Sequence, residues 1–368
     1  MKWLTRIGLG LLALLVMVTL FGAGYEMLAR HRAARDFPPT GRLVDIGGRR
    51  IHLDCRGTGS PTVVFQSGFD QLGSLSWMKV HDAIAGFTRA CAYDRAGIMW
   101  SDSTTTPHDG KSIARDLHLA LSSAGEQAPL VLVGHSFGGP LSMVYTHDYP
   151  DQVAALVLVD PGHPDQEQQI ATLSLPKKSQ GKGLLDVMAA LSWTGLLRVA
   201  GSSDPSFPPE AVRASSAYVS KSFSAALAED HSAPQTMAQA GAVRSFGDRP
   251  LIVLGREEFI SPAALAPLGV SKQDAERFNA GWKRLNEDEA SWSTRGQLRL
   301  VPNSGHYIQF DQPASVIGAV REVVDEVRAA SRVTVNPQSR AKKVLLANFD
   351  TVVAEDAVCR RDVKMNIG

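Results

Sequence analysis

The stretch PLVLVGHSFGGP, residues 129–140, decides the fold. Pro129–Val133 is a continuous apolar run of strand length, the pattern of a strand buried on both faces of a parallel sheet. Gly134-His135-Ser136-Phe137-Gly138 follows at once, and Pro140–Tyr149 reads as a helix. The pattern G-x-S-x-G arises by chance in any chain rich in Gly and Ser. Between a buried strand and a helix it has a steric meaning. The chain turns so sharply that the residues two positions away on either side, Gly134 and Gly138, must be small. The turn lifts the central side chain above the strand ends, over a helix N-terminus that favours developing negative charge. Ser136 is therefore the candidate nucleophile.

Similar buried runs flank this one. Thr62–Gln66, Ala154–Val159 and Leu251–Leu254 are short and apolar, Thr88–Tyr93 and Leu298–Val301 are further strands, and amphipathic helices are expected over Ser112–Ser123 and Pro313–Ala330. Ahead of them, Arg42–Ile46 and Arg50–Asp54 flank Gly47-Gly48 as a tight hairpin. Buried strands alternating with helices predict a mostly parallel eight-stranded sheet with helices on both faces. One stretch breaks the alternation. Between Asp160 and Pro250 there is helical patterning without a buried strand, as expected of a cap inserted after the sixth strand, about residues 163–248. Leu184–Leu197 is its most apolar part. The α/β domain is expected over 41–332, and a tail of unassigned role over 333–368.

A nucleophilic serine needs a base. His306 stands in the loop after the last strand, in Ser304-Gly305-His306, and a neutral imidazole there can take the serine proton and later return it. His135 adjoins the nucleophile, points elsewhere and is read as structural. Two carboxylates end strands at the same edge of the sheet. Asp160 closes AALVLV and precedes Pro161, and Glu258 follows LIVL in Gly255-Arg256-Glu257-Glu258. Asp160 is preferred as the acid and Glu258 is the alternative.

The stretch VLVGHSFGG resembles the nucleophile elbow of the α/β-hydrolase family. TVVFQSGF resembles that family's third strand and oxyanion loop, AYDRAGIMWSD its fourth-strand turn, and PNSGHYIQFDQP its catalytic-histidine loop. Together they span about residues 41–330. Met99 departs from the pattern, standing where the family usually has glycine, so a positive φ at that turn is in question. The resemblance implies an oxyanion hole made by the backbone amides of Phe137 and Phe69, next to Gly68. It also implies acyl transfer through an acyl-enzyme on Ser136, with a small-molecule carboxylic ester as substrate and neither cofactor nor metal. A serine at the elbow speaks against dehalogenation and epoxide opening, which in this fold use aspartate there. The rival readings are peptidase, lactonase, acyltransferase, cofactor-free peroxidase, or a silent membrane-anchored binding module.

Composition narrows the setting. The 368 residues are 44% apolar and 20% charged with a formal charge of +1, so the chain reads as globular, and no basic stripe invites nucleic acid. Oligomeric state leaves no mark. Lys2 and Arg6 precede an apolar run from Ile7 to Tyr25, long enough to span a bilayer of roughly 30 Å. Residues 1–25 are expected as an uncleaved anchor. The alternative is a signal cleaved near Gly22-Ala23-Gly24, giving a secreted protein. Arginines follow the run as well as precede it, so charge does not orient the span, and resemblance to anchored hydrolases implies a catalytic domain outside the cytoplasm. Residues 26–40 are expected as a linker. Cys55 and Cys91 are expected as small buried hydrophobes within strands, and no disulfide framework or zinc spacing is indicated.

Overall fold

Eight strands hydrogen-bond in the order β1-β2-β4-β3-β5-β6-β7-β8. The computed structural model describes residues 2–172, 182–200, 207–258 and 270–335. In chain order the elements are α1 (Lys2–Asp36), β1 (Arg42–Asp45), β2 (Arg50–Arg56), β3 (Thr62–Gln66), α2 (His81–Ala85), β4 (Arg89–Tyr93), α3 (Gly110–Ala124), β5 (Leu130–His135), α4 (Gly138–Asp148) and β6 (Val153–Val159). The cap follows as α5 (Gln166–Ile170), α6 (Lys182–Ala190), α7 (Leu196–Ala200), α8 (Pro209–Ala217) and α9 (Val219–Gly241). The chain then closes with β7 (Leu251–Arg256), α10 (Lys272–Ser291), β8 (Gly296–Val301), α11 (Ile308–Asp311) and α12 (Pro313–Val335). Two units divide it, Met1–Val324 and Asp325–Gly368, and of the second only the end of α12, to Val335, is described.

All neighbouring strands run parallel except β2, which is antiparallel to β1 and β4. The hairpin turn between β1 and β2 forms because Asp45 Oδ1 accepts from the amides of Gly47 and Gly48 at 2.7 and 3.0 Å. Both glycines have positive φ, which they adopt at no steric cost. The parallel strands are buried on both faces, and alternation explains how. Leu130 and Leu132 of β5 join the core cluster under α3 and α4. Val131 and Val133 point the other way and are equally buried. Each such side chain withdrawn from water contributes roughly 1.5–3 kcal/mol.

Helix ends follow local chemistry too. Asp109 caps α3 by accepting from the Ser112 amide, and Gly125 ends it in the left-handed conformation. α10 packs a face built from Ala275, Phe278, Trp282 and Ala290, although its sequence is strongly polar.

Two expectations change, and one surface is added to them. The supposed linker 26–40 is helical as far as Asp36, because α1 runs on unbroken beyond its apolar part and buries Glu26 and Ala33. Cys55 and Cys91 are not separate hydrophobes. They face each other in the register of β2 and β4 and are joined by a disulfide. The apolar part of the cap does not turn inward. Leu184, Leu185, Val187, Leu191, Trp193 and Leu196 are exposed, and Leu197 is buried. The tail beyond 335 lies outside the described residues, as does Cys359.

Candidate active site

The elbow is built by close approach. β5 delivers the chain to Ser136, whose φ is +52°, a strained value for a residue with a side chain. A Cβ on Gly134 would lie 2.4 Å from the Gly138 carbonyl oxygen, and one on Gly138 would lie 2.1 Å from that of Gln66. The strained residue is pinned by its own backbone. Its amide donates to Val159 O at 3.1 Å, and its carbonyl accepts from Gly139 and Gly162, both at 2.9 Å. α4 begins at Gly138, directly after this turn.

His306 lies between β8 and α11. The Gly305 amide donates to Asp311 Oδ2 at 2.8 Å, and Gln312 Nε2 donates to Asn303 O at 3.2 Å, which ties the loop at both ends. His306 Nε2 is 2.9 Å from Ser136 Oγ, and Nδ1 is 2.6 Å from Asp160 Oδ2. Donation from Nδ1–H to the carboxylate leaves Nε2 to accept the serine proton, so the contacts are consistent with one tautomer.

Asp160 is set by backbone strain of the same kind. Its φ is +42°, its amide donates to Leu254 O at 2.7 Å, and its carboxylate is fully buried. Arg256, two residues beyond that carbonyl on β7, brings its Nε to 2.9 Å from the same Oδ2 and its backbone amide to 3.4 Å from Oδ1. Glu258 is exposed, and His306 Nδ1 is engaged by Asp160. The structure therefore brings Ser136, His306 and Asp160 together and leaves Glu258 outside.

His135 does not point at the site chemistry. It is buried, and its Nε2 lies 2.9 Å from the His306 carbonyl oxygen. Burial, with His306 adjacent, holds its imidazole well below the ordinary range, so it is neutral and steadies the backbone of His306. His163 and Asp165 are likewise occupied, with Asp288 at 3.1 Å and Arg244 at 2.9 Å.

The loop after β3 comes close to the elbow. A Cβ on Gly68 would meet His135 Nδ1 at 2.8 Å and Ser136 Cβ at 3.0 Å. The rings of Phe69 and Phe137 meet edge to face, 5.7 Å between centroids. Neither of their amides is taken by an acceptor among the described residues. Arg95 clamps this loop. Its guanidinium donates to the carbonyls of Ser67 and Gly68, both at 2.8 Å, and pairs with Glu229 of α9 at 2.7 and 2.8 Å. Both partners are buried. Arg95, Glu229 and Arg256 were not anticipated from sequence as parts of the site. For Arg256 a signal existed, since it adjoins the acidic pair at the same strand end.

Met99 holds a positive φ of +41°, so the turn takes the conformation that glycine usually supplies. Its amide donates to Ser222 Oγ at 3.0 Å, and its side chain is fully buried, which outweighs a strain of order 1–3 kcal/mol. A cavity of about 270 Å³ opens beside the site, lined by Phe69, Leu72, Phe207, Val212 and Tyr307 among others.

Known proteins agree with this architecture. A family model described as the alpha/beta hydrolase fold matches residues 61–181. The uncharacterized protein YbdG of Bacillus subtilis (strain 168) is 27% identical over 161 residues, covering 44% of this chain and 49% of that one. The chain thus spans about half the length of that relative. A 2-hydroxymuconate semialdehyde hydrolase of Pseudomonas sp. (strain CF600) is 24% identical over 311 residues, 81% of this chain and 99% of that one. Among solved structures, the epoxide hydrolase CorEH superposes with a TM-score of 0.55 at 18% identity, over 78% of this chain and 98% of that one, a likeness of fold alone. By its sheet order, its strained elbow and these likenesses, the chain has the α/β-hydrolase fold.

Proposed function

We propose that the chain is a serine hydrolase that cleaves a small carboxylic ester, with Ser136 as nucleophile, His306 as general base and Asp160 as the acid that orients it. The observation that carries this reading is the unbroken chain of contacts from Asp160 through His306 to Ser136, 2.6 and 2.9 Å long. In the first stage Ser136 Oγ attacks the ester carbonyl carbon while His306 Nε2 takes its proton. The oxyanion is received by the amides of Phe69 and Phe137. The intermediate collapses, the alcohol departs with the proton held by His306, and an acyl-serine remains. Water, deprotonated by the same imidazole, then releases the carboxylic acid and restores Ser136. Asp160 accepts from Nδ1–H throughout and stabilises the imidazolium.

The reading includes α1 as an uncleaved membrane anchor. The helix is unbroken through Gly22-Ala23-Gly24, and Gly22 is packed against the Thr194 backbone, which disfavours processing there. Its residues from Trp3 to Phe21 are mostly apolar and, apart from the half-buried Thr19, exposed. The Cys55–Cys91 bond supports a catalytic domain on the oxidising side of that membrane.

The test uses the full chain in detergent micelles, a fluorophosphonate probe and a short nitrophenyl ester. Wild type is expected to be labelled and to turn over, and Ser136→Ala to do neither. A folded wild type that reacts with neither reagent would favour a binding module instead.

A further inference from the structure

α1 does not part from the rest of the molecule where its apolar run ends. A Cβ on Gly22 would lie 2.4 Å from the Thr194 carbonyl oxygen, and the Tyr25 ring lies against Gly195. One residue further, the buried Glu26 carboxylate accepts from Arg198 at 2.6 Å, Arg30 at 2.7 Å and Ser220 Oγ at 3.1 Å. Tyr218 Oη then donates to Phe37 O at 2.8 Å. The anchor is therefore clasped by the cap at the level where its apolar run gives way to charge.

The clasp sets a second apolar surface at that level. Leu184, Leu185, Val187, Leu191, Trp193 and Leu196 stand between 39% and 65% exposed, on the same stretch that carries Thr194 and Gly195. So many large apolar side chains exposed over thirteen residues are costly in water and mark a contact surface. Trp193, 48% exposed, and Tyr25, 44% exposed, are the aromatic types that gather at the membrane–water boundary. Continuity with the exposed apolar side of α1 identifies what covers the face, since a bilayer surface must lie at the end of any span.

A second observation concerns access. Besides the cavity next to Phe69 and Tyr307, a cavity of about 360 Å³ lies between α1 and the cap, its wall part apolar (Tyr25, Phe37, Leu197) and part charged (Arg32, Asp36, Arg213). Ser216 and Val219 line both cavities, so the two stand back to back across α8 and the start of α9.

We propose that the cap face from α6 to α7 rests in the interfacial layer of the bilayer that α1 crosses, and that the site draws apolar esters from that layer through the cleft between α1 and the cap. This rests on the anchored ester-hydrolase reading above and specifies its substrate class as an ester dissolved in lipid. The span holds the molecule to the bilayer, and the patch sets the cap on its surface.

The experiment uses the full chain in phosphatidylcholine vesicles. Lipids brominated in the upper acyl chain should quench about half or more of the emission difference between wild type and Trp193→Phe. Leu185→Glu combined with Leu191→Glu should slow hydrolysis of a long-chain ester dissolved in the vesicles about tenfold, and leave a water-soluble short ester untouched. An unquenched difference overturns the seating of the cap. Equal rates on the dissolved ester overturn the supply from lipid. Release of the full chain by alkaline carbonate would sink the anchor and this proposal together. Quenching without turnover of any ester would sink the hydrolase reading and leave the seating intact.

Discussion

Four residues of this site carry positive φ without being glycine: Ser136, Asp160, Asn303 in the His306 loop and, at the rim, Met99. Such conformations cost of order 1–3 kcal/mol each and persist where surrounding bonds over-determine them. Ser136 and Asp160 are held by backbone bonds to neighbouring strand ends, so two side chains from different strands reach one imidazole. If Asp160 is the acid, Asp160→Asn should lower kcat on a short ester by on the order of 10³–10⁴, and Glu258→Gln should leave it within about twofold. The reverse pattern in steady-state kinetics would move the role to Glu258. Asp70, beside Phe69, gives a pH prediction. Its carboxyl accepts from the amides of Leu72 and Gly73 and from Ser76 Oγ, yet burial pushes it up to about 6, against the pull of Arg95. Between its ordinary value of 3.8 and about 6, the folded chain keeps a proton that the unfolded chain has lost. Stability from this group therefore falls as pH rises through that window and is level above it. Melting temperature relative to Asp70→Asn should drop from about pH 4 to about pH 7, with a ceiling of ~3 kcal/mol. A constant difference would mean that Asp70 titrates normally.

At the scale of elements, the cap is tied to the catalytic loop by one buried pair. Arg95 grips the carbonyls of Ser67 and Gly68 and is itself gripped by Glu229 of α9. A shift of α9 would therefore reach the Phe69 amide directly. Glu229→Ala should cost roughly 3–5 kcal/mol of stability, because it leaves a buried guanidinium without its partner. Glu229→Gln should lower kcat by about tenfold with less effect on KM, since an oxyanion donor matters most in the transition state. Loss of stability with kcat unchanged would make the pair a fastener of the cap alone. α10 shows how an element escapes notice. Nearly half of its residues are charged, but Ala275, Phe278 and Trp282 recur at helical spacing and are buried.

For the whole molecule, α1 is packed on the cap as well as being the proposed anchor. Glu26 joins α1 to α7 and α9, and Trp100 Nε1 donates to Phe37 O at 2.9 Å just beyond the helix. Cutting the chain at residue 36 would expose the seat of α1 on the cap. Within the full chain, Glu26→Ala should lower thermal stability by on the order of 3 kcal/mol, read by melting in detergent micelles. A melting temperature equal to wild type would show that the clasp contributes nothing.

What the sequence by itself determined was local. Strand, elbow and helix over residues 129–149 are written in contiguous residues, because apolar run length, two small glycines and helical spacing each act within a few positions. The same holds for the buried strands, whose period reveals them, and for His306, which follows the last strand in the expected order. The tertiary structure alone chose between Asp160 and Glu258 as the neighbour of His306, since two strand ends look alike until the sheet twists and the loops close. It alone joined Cys55 to Cys91, because 36 residues separate them and only the register of β2 on β4 makes them face each other. It also turned the expected linker into a docked helix. Whether residues 26–36 pack depends on a surface formed by residues 192–198 and 216–220, and no local rule ties stretches so far apart.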